Sequence, residues 1–117
     1  MEHEARRDPR VKLEVDIKVY SRATGLLKGR TVDISESGIS AILPIGVPIG
    51  AFVQLEFKLP LGAVAIRSIV RHQTAFRFGF EFKEPGPSLE IIKRTCQHLY
   101  VRETANPNFP QNSQKQN

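Results

Sequence analysis

The feature that most constrains this chain is the repeated alternation of apolar and polar residues with a period of two. Val11, Leu13, Val15, Ile17 and Val19 alternate with Lys12, Glu14, Asp16 and Lys18. Successive side chains on a strand point to opposite faces, so this pattern predicts a strand with one buried and one wet face. The pattern returns where Val32 and Ile34 alternate with Thr31, Asp33 and Ser35, and where Val53, Leu55, Phe57 and Leu59 alternate with Gln54, Glu56 and Lys58. Shorter strands are expected at residues 39–43 and about 64–72. The clearest repeat is Phe76, Phe78, Phe80 and Phe82, separated by Arg77, Gly79 and Glu81. A stripe of this kind is read as core packing. Turn signals separate the segments: Gly25 and Gly29, Ser37-Gly38, the loop 44–50, Pro60-Leu61-Gly62 and Glu84-Pro85-Gly86-Pro87.

After Pro87 the period changes. Leu89, Ile92, Cys96 and Leu99 recur at helical spacing, with Ser88 placed to cap the first turn. Beyond this the chain is Asn, Gln, Pro and Ser with few apolar residues, the composition of a disordered tail. The chain therefore divides into an arm at 1–10, a folded body at 11–102 and a tail at 103–117. Six or so short strands and a terminal helix predict a mostly β fold, a small six-stranded antiparallel β-barrel with a C-terminal α-helix. Closure of the barrel removes exposed strand edges.

At 117 residues the chain is expected to form one domain, large enough to bury a core without staples. Its single cysteine, Cys96, cannot form an internal disulfide. No apolar run approaches the roughly 20 residues of a membrane span, and Met1-Glu2-His3-Glu4 is too polar to begin a signal peptide. A cytoplasmic protein without membrane insertion is expected. The net charge is +5, and the whole excess lies in residues 11–102, where thirteen basic side chains face eight acidic ones. A basic body favours an anionic partner. His3, His72 and His98 are too scattered for a metal site. Neither a nucleophile elbow nor a Gly-rich phosphate loop is present, and Glu56 and Glu81 read as solvated strand carboxylates. A binding module is expected, not an enzyme, with no metal or cofactor.

Two short segments carry the chemistry. Arg6-Arg7-Asp8-Pro9-Arg10 fits R-x-x-x-R, and Asp33-Ile34-Ser35-Glu36-Ser37-Gly38 fits D-x-S-x-x-G. If Val32 and Ile34 point inward, Asp33 and Ser35 point outward, toward the side from which Arg10 arrives. Gly38 suits a positive φ or a close backbone approach. Asp33 has a plainer reading as a turn cap that accepts backbone amides. Arg6, Arg7 and Arg10 taken alone would be a solvated basic arm. Arg67 and Arg71 repeat the arginine spacing inside a strand and read as outer-face charge.

The two motifs in this order, in a basic chain of strands and one helix, resemble the PilZ domain, a bacterial family of cyclic di-GMP receptors. The resemblance covers roughly residues 6–100, including loop 44–50, the Val70-Arg71 strand and Gly79-Phe80-Glu81-Phe82. It implies a ligand site at Arg6, Arg10, Asp33, Ser35 and Gly38, with Arg7 as an auxiliary contact. An arginine fork matches both phosphate oxygens and the guanine O6/N7 edge, and a carboxylate can accept from guanine N1 and N2. Ala5 stands where some relatives have a further arginine, which implies one bound ligand molecule rather than a stacked pair. The implied function is a single-domain cyclic di-GMP receptor whose N-terminal arm changes conformation on binding and which signals through a separate partner protein. The alternative is a PilZ-like interaction adaptor that does not bind nucleotide. A barrel for RNA or single-stranded DNA is disfavoured. That mode presents exposed aromatics, whereas the Phe stripe has core parity and leaves Tyr20 and Tyr100. Nucleic acid is therefore not an expected partner.

Overall fold

The computed structural model describes residues 8–105. Seven strands are followed by one helix: β1 (Val11–Lys12), β2 (Asp16–Ser21), β3 (Gly25–Ile34), β4 (Gly38–Ile42), β5 (Phe52–Leu59), β6 (Gly62–Thr74), β7 (Arg77–Glu84) and α1 (Ser88–Ala105). The sheet runs β1-β3-β2-β5-β6-β7-β4, and pairing of β3 with β4 closes it. Every pairing is antiparallel. The expected six-stranded barrel is thus formed by β2–β7, with β1 as a two-residue addition beside β3.

The alternating apolar residues fill the interior. Ile17, Val19, Leu55, Ile66, Val70 and Phe78 are essentially inaccessible to solvent. Ile92 and Cys96 of α1 join the same core. No helix among the described residues is long and apolar enough to cross a membrane.

The first strand departs from the single run predicted over Val11–Val19. The register of β1 against β3 pairs Val11 with Ile34, whereas β2 pairs Asp16 with Arg30, a slip of one residue. The buried Thr31 hydroxyl explains the break. It donates to the Leu13 carbonyl and accepts from the Val15 amide at 2.9 Å, in place of ladder bonds. A bulge of this kind re-aims the side chains around it. The β3–β4 register also shifts between Thr31 and Asp33. As a result Thr31 is buried and Val32 is only half-buried, which corrects the inward placement of Val32.

β3 also begins earlier than predicted. Residues 25–30 lack alternation, and Leu27 is the one residue of that stretch in the core. Their strand state is imposed by pairing with β2 through the register from Ser21–Gly25 to Asp16–Arg30. The Phe stripe loses its first member. Phe76 precedes β7 and is 60% exposed, next to Ala75 with φ of 56° in the β6–β7 turn. Phe78, Phe80 and Phe82 are buried as predicted.

Ser88 is the first residue within α1, not a cap preceding it. The lead-in is a backbone turn in which the Pro85 carbonyl accepts from Ser88 N at 2.9 Å. The helix continues through Ala105 and so includes the first three residues assigned to the tail. Its end is tied down, because Glu103 accepts a hydrogen bond from the Lys12 backbone at 2.9 Å. The rest of the predicted tail lies outside the described residues.

Candidate functional site

The site is built where β3, β4, β6 and β7 present their outer faces. Asp33 follows the bulge on β3 and stands opposite Ser40 of β4. Its carboxylate is saturated by neighbours. Oδ1 accepts from Arg10 Nε at 3.0 Å and from Ser40 Oγ at 2.7 Å, with Arg10 Nη2 at 2.9 Å. Oδ2 accepts from Arg77 Nη2 at 2.8 Å. The Asp33 side chain is 19% exposed, so it anchors two arginines that are themselves nearly half in water. This pairing replaces the plainer turn-cap reading of Asp33.

The cap of that turn is Ser35. The sequence placed its side chain outward beside Asp33, but Ser35 is 1% exposed. Its hydroxyl accepts from the Ser37 amide at 3.3 Å and the Gly38 amide at 3.2 Å. Local side-chain-to-backbone bonds of this kind favour turns over continued strand. Arg10 Nη1 donates to the same hydroxyl at 3.4 Å, which links the arm to the turn. Gly38 is required by close approach, not by backbone angle: a Cβ there would lie 2.4 Å from the Phe80 carbonyl oxygen.

Arg10, Asp33 and Gly38 line a cleft of about 540 Å³ together with Ser40, Arg71, His72, Arg77 and Glu81. Arg71 donates from Nε to Glu81 Oε1 at 2.6 Å, and Lys83 lies 3.9 Å from the other oxygen. The hydrogen bond from Arg71, with the nearby charges of Arg71 and Lys83, holds the Glu81 carboxyl below its ordinary value of 4.5 against a smaller opposing effect of desolvation. The His72 ring lies against Gly79, where a Cβ would sit 3.0 Å from it. The His72 ring thus covers the Gly79 backbone on the floor of the cleft, and its rim is three arginine forks and two carboxylates.

Of the six residues expected at the site, the structure brings Arg10, Asp33, Ser35 and Gly38 together; Arg6 and Arg7 lie outside the described residues. Sequence reasoning missed Arg77 and Ser40, and it dismissed Arg71 and Glu81 as outer-face charge. The signal for Arg77, Gly79 and Glu81 was available, because they alternate with the buried Phe residues and so share the outward face. That this face adjoins Asp33 follows only from β4 lying between β3 and β7.

Cys96 of α1 is buried in the core. Burial pushes its thiol from an ordinary 9.0 up to about 12, with the charges of Glu36 and Asp8 adding to the rise and Arg10 opposing it. It remains a neutral thiol at neutral pH and belongs to the core, as its place on the helical stripe implied.

Residues 4–98 match the model of the PilZ domain family, and the chain belongs to that family. None of the curated proteins matches the sequence. Solved structures share the fold at low identity. The inhibitor of motility MotI (DgrA) of Bacillus subtilis superposes with a TM-score of 0.71 at 16% identity, covering 86% of this chain and 52% of MotI. The chain therefore spans about half the length of that protein. The PilZ domain of YcgR from Escherichia coli, solved with c-di-GMP, gives a TM-score of 0.67 at 19% identity over 86% of this chain and 97% of that domain. The K. pneumonia MrkH–c-di-GMP complex gives 0.70 at 17% identity, covering 85% of this chain and 53% of MrkH.

Proposed function

We propose that this chain is a cyclic di-GMP receptor that binds the nucleotide in the arginine cleft and acts on a separate partner protein. The observation that carries the reading is the meeting of the two motifs. Arg10 from the arm and Asp33 from the turn are in direct contact at the mouth of a cleft that also holds Arg71 and Arg77. The structural neighbours solved with c-di-GMP support it. Phosphate is an acceptor-only anion and takes the forks of Arg10, Arg71 or Arg77 in bidentate fashion. Asp33 accepts from the guanine Watson–Crick edge. Ligand must compete with Asp33 for Arg10 and Arg77, and with Glu81 for Arg71. Binding therefore exchanges internal ion pairs for ligand contacts.

That exchange gives the arm its role. In the free protein Arg10 is held by Asp33 and Ser35, and a ligand that draws Arg10 away, together with Arg6 and Arg7, changes the surface next to β1. Only a ligand with higher affinity for one arm position shifts the balance. Hydrogen exchange of residues 1–12 should slow with saturating cyclic di-GMP; unchanged exchange would remove the arm from the mechanism.

Calorimetry with cyclic di-GMP, GTP and a short RNA tests the receptor reading. Binding of cyclic di-GMP alone is expected, with Arg10→Ala and Asp33→Ala each weakening it by about 1–3 kcal/mol, near the worth of one bidentate contact. Equal affinity of wild type and both variants would place the ligand elsewhere. The second reading, an adaptor that binds no nucleotide, is favoured by one observation: the arginine forks are already satisfied by Asp33 and Glu81. Absence of any heat with cyclic di-GMP, from a protein folded by circular dichroism, would select it.

A further inference from the structure

The closed strand order sets the β2/β5 pair across the barrel from β4 and β7, so its outer face lies away from the arginine cleft. On that face Leu26, Tyr20, Gln54 and Arg67 stand in register across β3, β2, β5 and β6, with Phe52 beside them opposite Ile69. Tyr20, Leu26 and Phe52 are 37%, 46% and 50% exposed. Between them lies a shallow hollow of about 820 Å³. A second hollow of about 530 Å³, floored by Ala63 and Ala65, continues on the same face. Two adjoining hollows along one face fit an extended occupant better than a compact one. A contiguous exposed apolar strip bordered by polar residues is the usual mark of an interaction surface.

The charge around the strip is mostly positive. Lys18, Arg22, Lys28, Arg30, Lys58 and Arg67 surround it, against Asp16 and Glu56. Arg30 is engaged by Asp16 at 2.7 Å. Among the described residues, none of Lys18, Arg22, Lys28 and Lys58 lies within ion-pair distance of a carboxylate. These exposed cations favour an occupant that carries carboxylates. The aromatic groups are poorly disposed to stack bases. The Arg67 guanidinium already covers the Phe52 ring at 4.6 Å, and the Tyr20 hydroxyl is tied to Glu56 at 3.4 Å. Base stacking needs an open ring face.

We infer that this face docks an acidic protein segment, with an apolar side chain seated among Tyr20, Leu26 and Phe52 and carboxylates against Arg22, Lys28 and Arg67. Apolar contact at the centre supplies affinity, and the charged rim supplies steering and orientation. The inference names where the partner of the receptor reading binds, but its geometry does not depend on nucleotide.

Amide-resolved NMR of the full chain tests it with three probes: a synthetic peptide of repeating Glu with interspersed Leu and Phe, the same peptide with Lys in place of Glu, and oligouridylate. The acidic peptide should shift amides at 18–28 and 52–67, and added salt should weaken its binding. Phe52→Ala and Arg67→Glu should each reduce affinity for it about tenfold or more, while binding cyclic di-GMP as wild type does. An acidic peptide that does not bind, or shifts only the cleft residues, overturns the inference. Equal binding of the basic peptide, or tighter binding of oligouridylate at this face, does the same. A parallel cyclic di-GMP titration keeps the two readings apart: its failure alone removes the receptor reading and leaves the docking surface standing.

Discussion

The two faces of β7 hold the molecule together in different ways. Inward, Phe78, Phe80 and Phe82 are buried against the barrel core. Outward, Arg77 and Glu81 form ion pairs with Asp33 and Arg71, all of them partly in water. Burying a large apolar side chain contributes on the order of 1.5–3 kcal/mol, whereas solvent-exposed ion pairs contribute about 0–1 kcal/mol. The inner face therefore sets stability. The outer face is cheap to rearrange, which is what a ligand that must displace internal partners requires. Stability and recognition are divided between alternate residues of one strand.

The largest expected effect lies on the inner face. Phe78→Ala should lower unfolding free energy by about 3–5 kcal/mol, measured by denaturant titration, because a fully buried ring leaves a cavity. A loss below about 1 kcal/mol would mean that β7 is not the centre of the core. On the outer face, Arg77→Ala should leave the denaturation midpoint nearly unchanged and weaken cyclic di-GMP binding by about 1–3 kcal/mol. A variant that unfolds as readily as Phe78→Ala would erase the division.

The Arg71–Glu81 pair sharpens it further. The Glu81 carboxyl is held below 4.5, so the pair is intact above the ordinary carboxylate range and its contribution is lost as pH falls through the depressed value. Carbonyl-detected NMR of Glu81 should show a midpoint below 4.5 that returns toward 4.5 in Arg71→Ala. An unchanged midpoint would assign the shift to something other than Arg71. The smallest effect concerns Ser68, whose buried hydroxyl has no hydrogen-bond partner among the described residues. Removing an unsatisfied buried hydroxyl relieves a desolvation penalty. Ser68→Ala should therefore leave stability unchanged or raise it by up to about 1 kcal/mol, and a clear loss would reveal a partner for the hydroxyl.

The strands at β5, β6 and β7 were legible because apolar residues alternate there and one face of each packs inside the barrel. The same parity marks Phe52 as outward, in step with Gln54 and Glu56. The early part of β3 was not legible, since residues 25–30 follow no period and take their form from the β2 partner. The inward placement of Val32 failed because Thr31 inserts its hydroxyl into the ladder, the register slips by a residue, and parity cannot be carried across a bulge. The outward placement of Ser35 failed because β3 ends at Ile34 and the Ser35 hydroxyl turns in to accept from the Ser37 and Gly38 amides. Phe76 failed because a stripe of identical residues does not show where a turn begins.

What the amino-acid sequence determined alone is what local periodicity and residue chemistry encode. It specifies a β-barrel body with a terminal helix, an arginine motif preceding the first strand, and an acidic segment bearing a serine and a glycine. The tertiary structure decided which distant residues share a surface. Arg77 lies 44 residues from Asp33 and yet holds it at 2.8 Å, because β4 bridges β3 and β7 when the sheet closes. Side-chain alternation states which way a residue points; strand order alone states what it points toward.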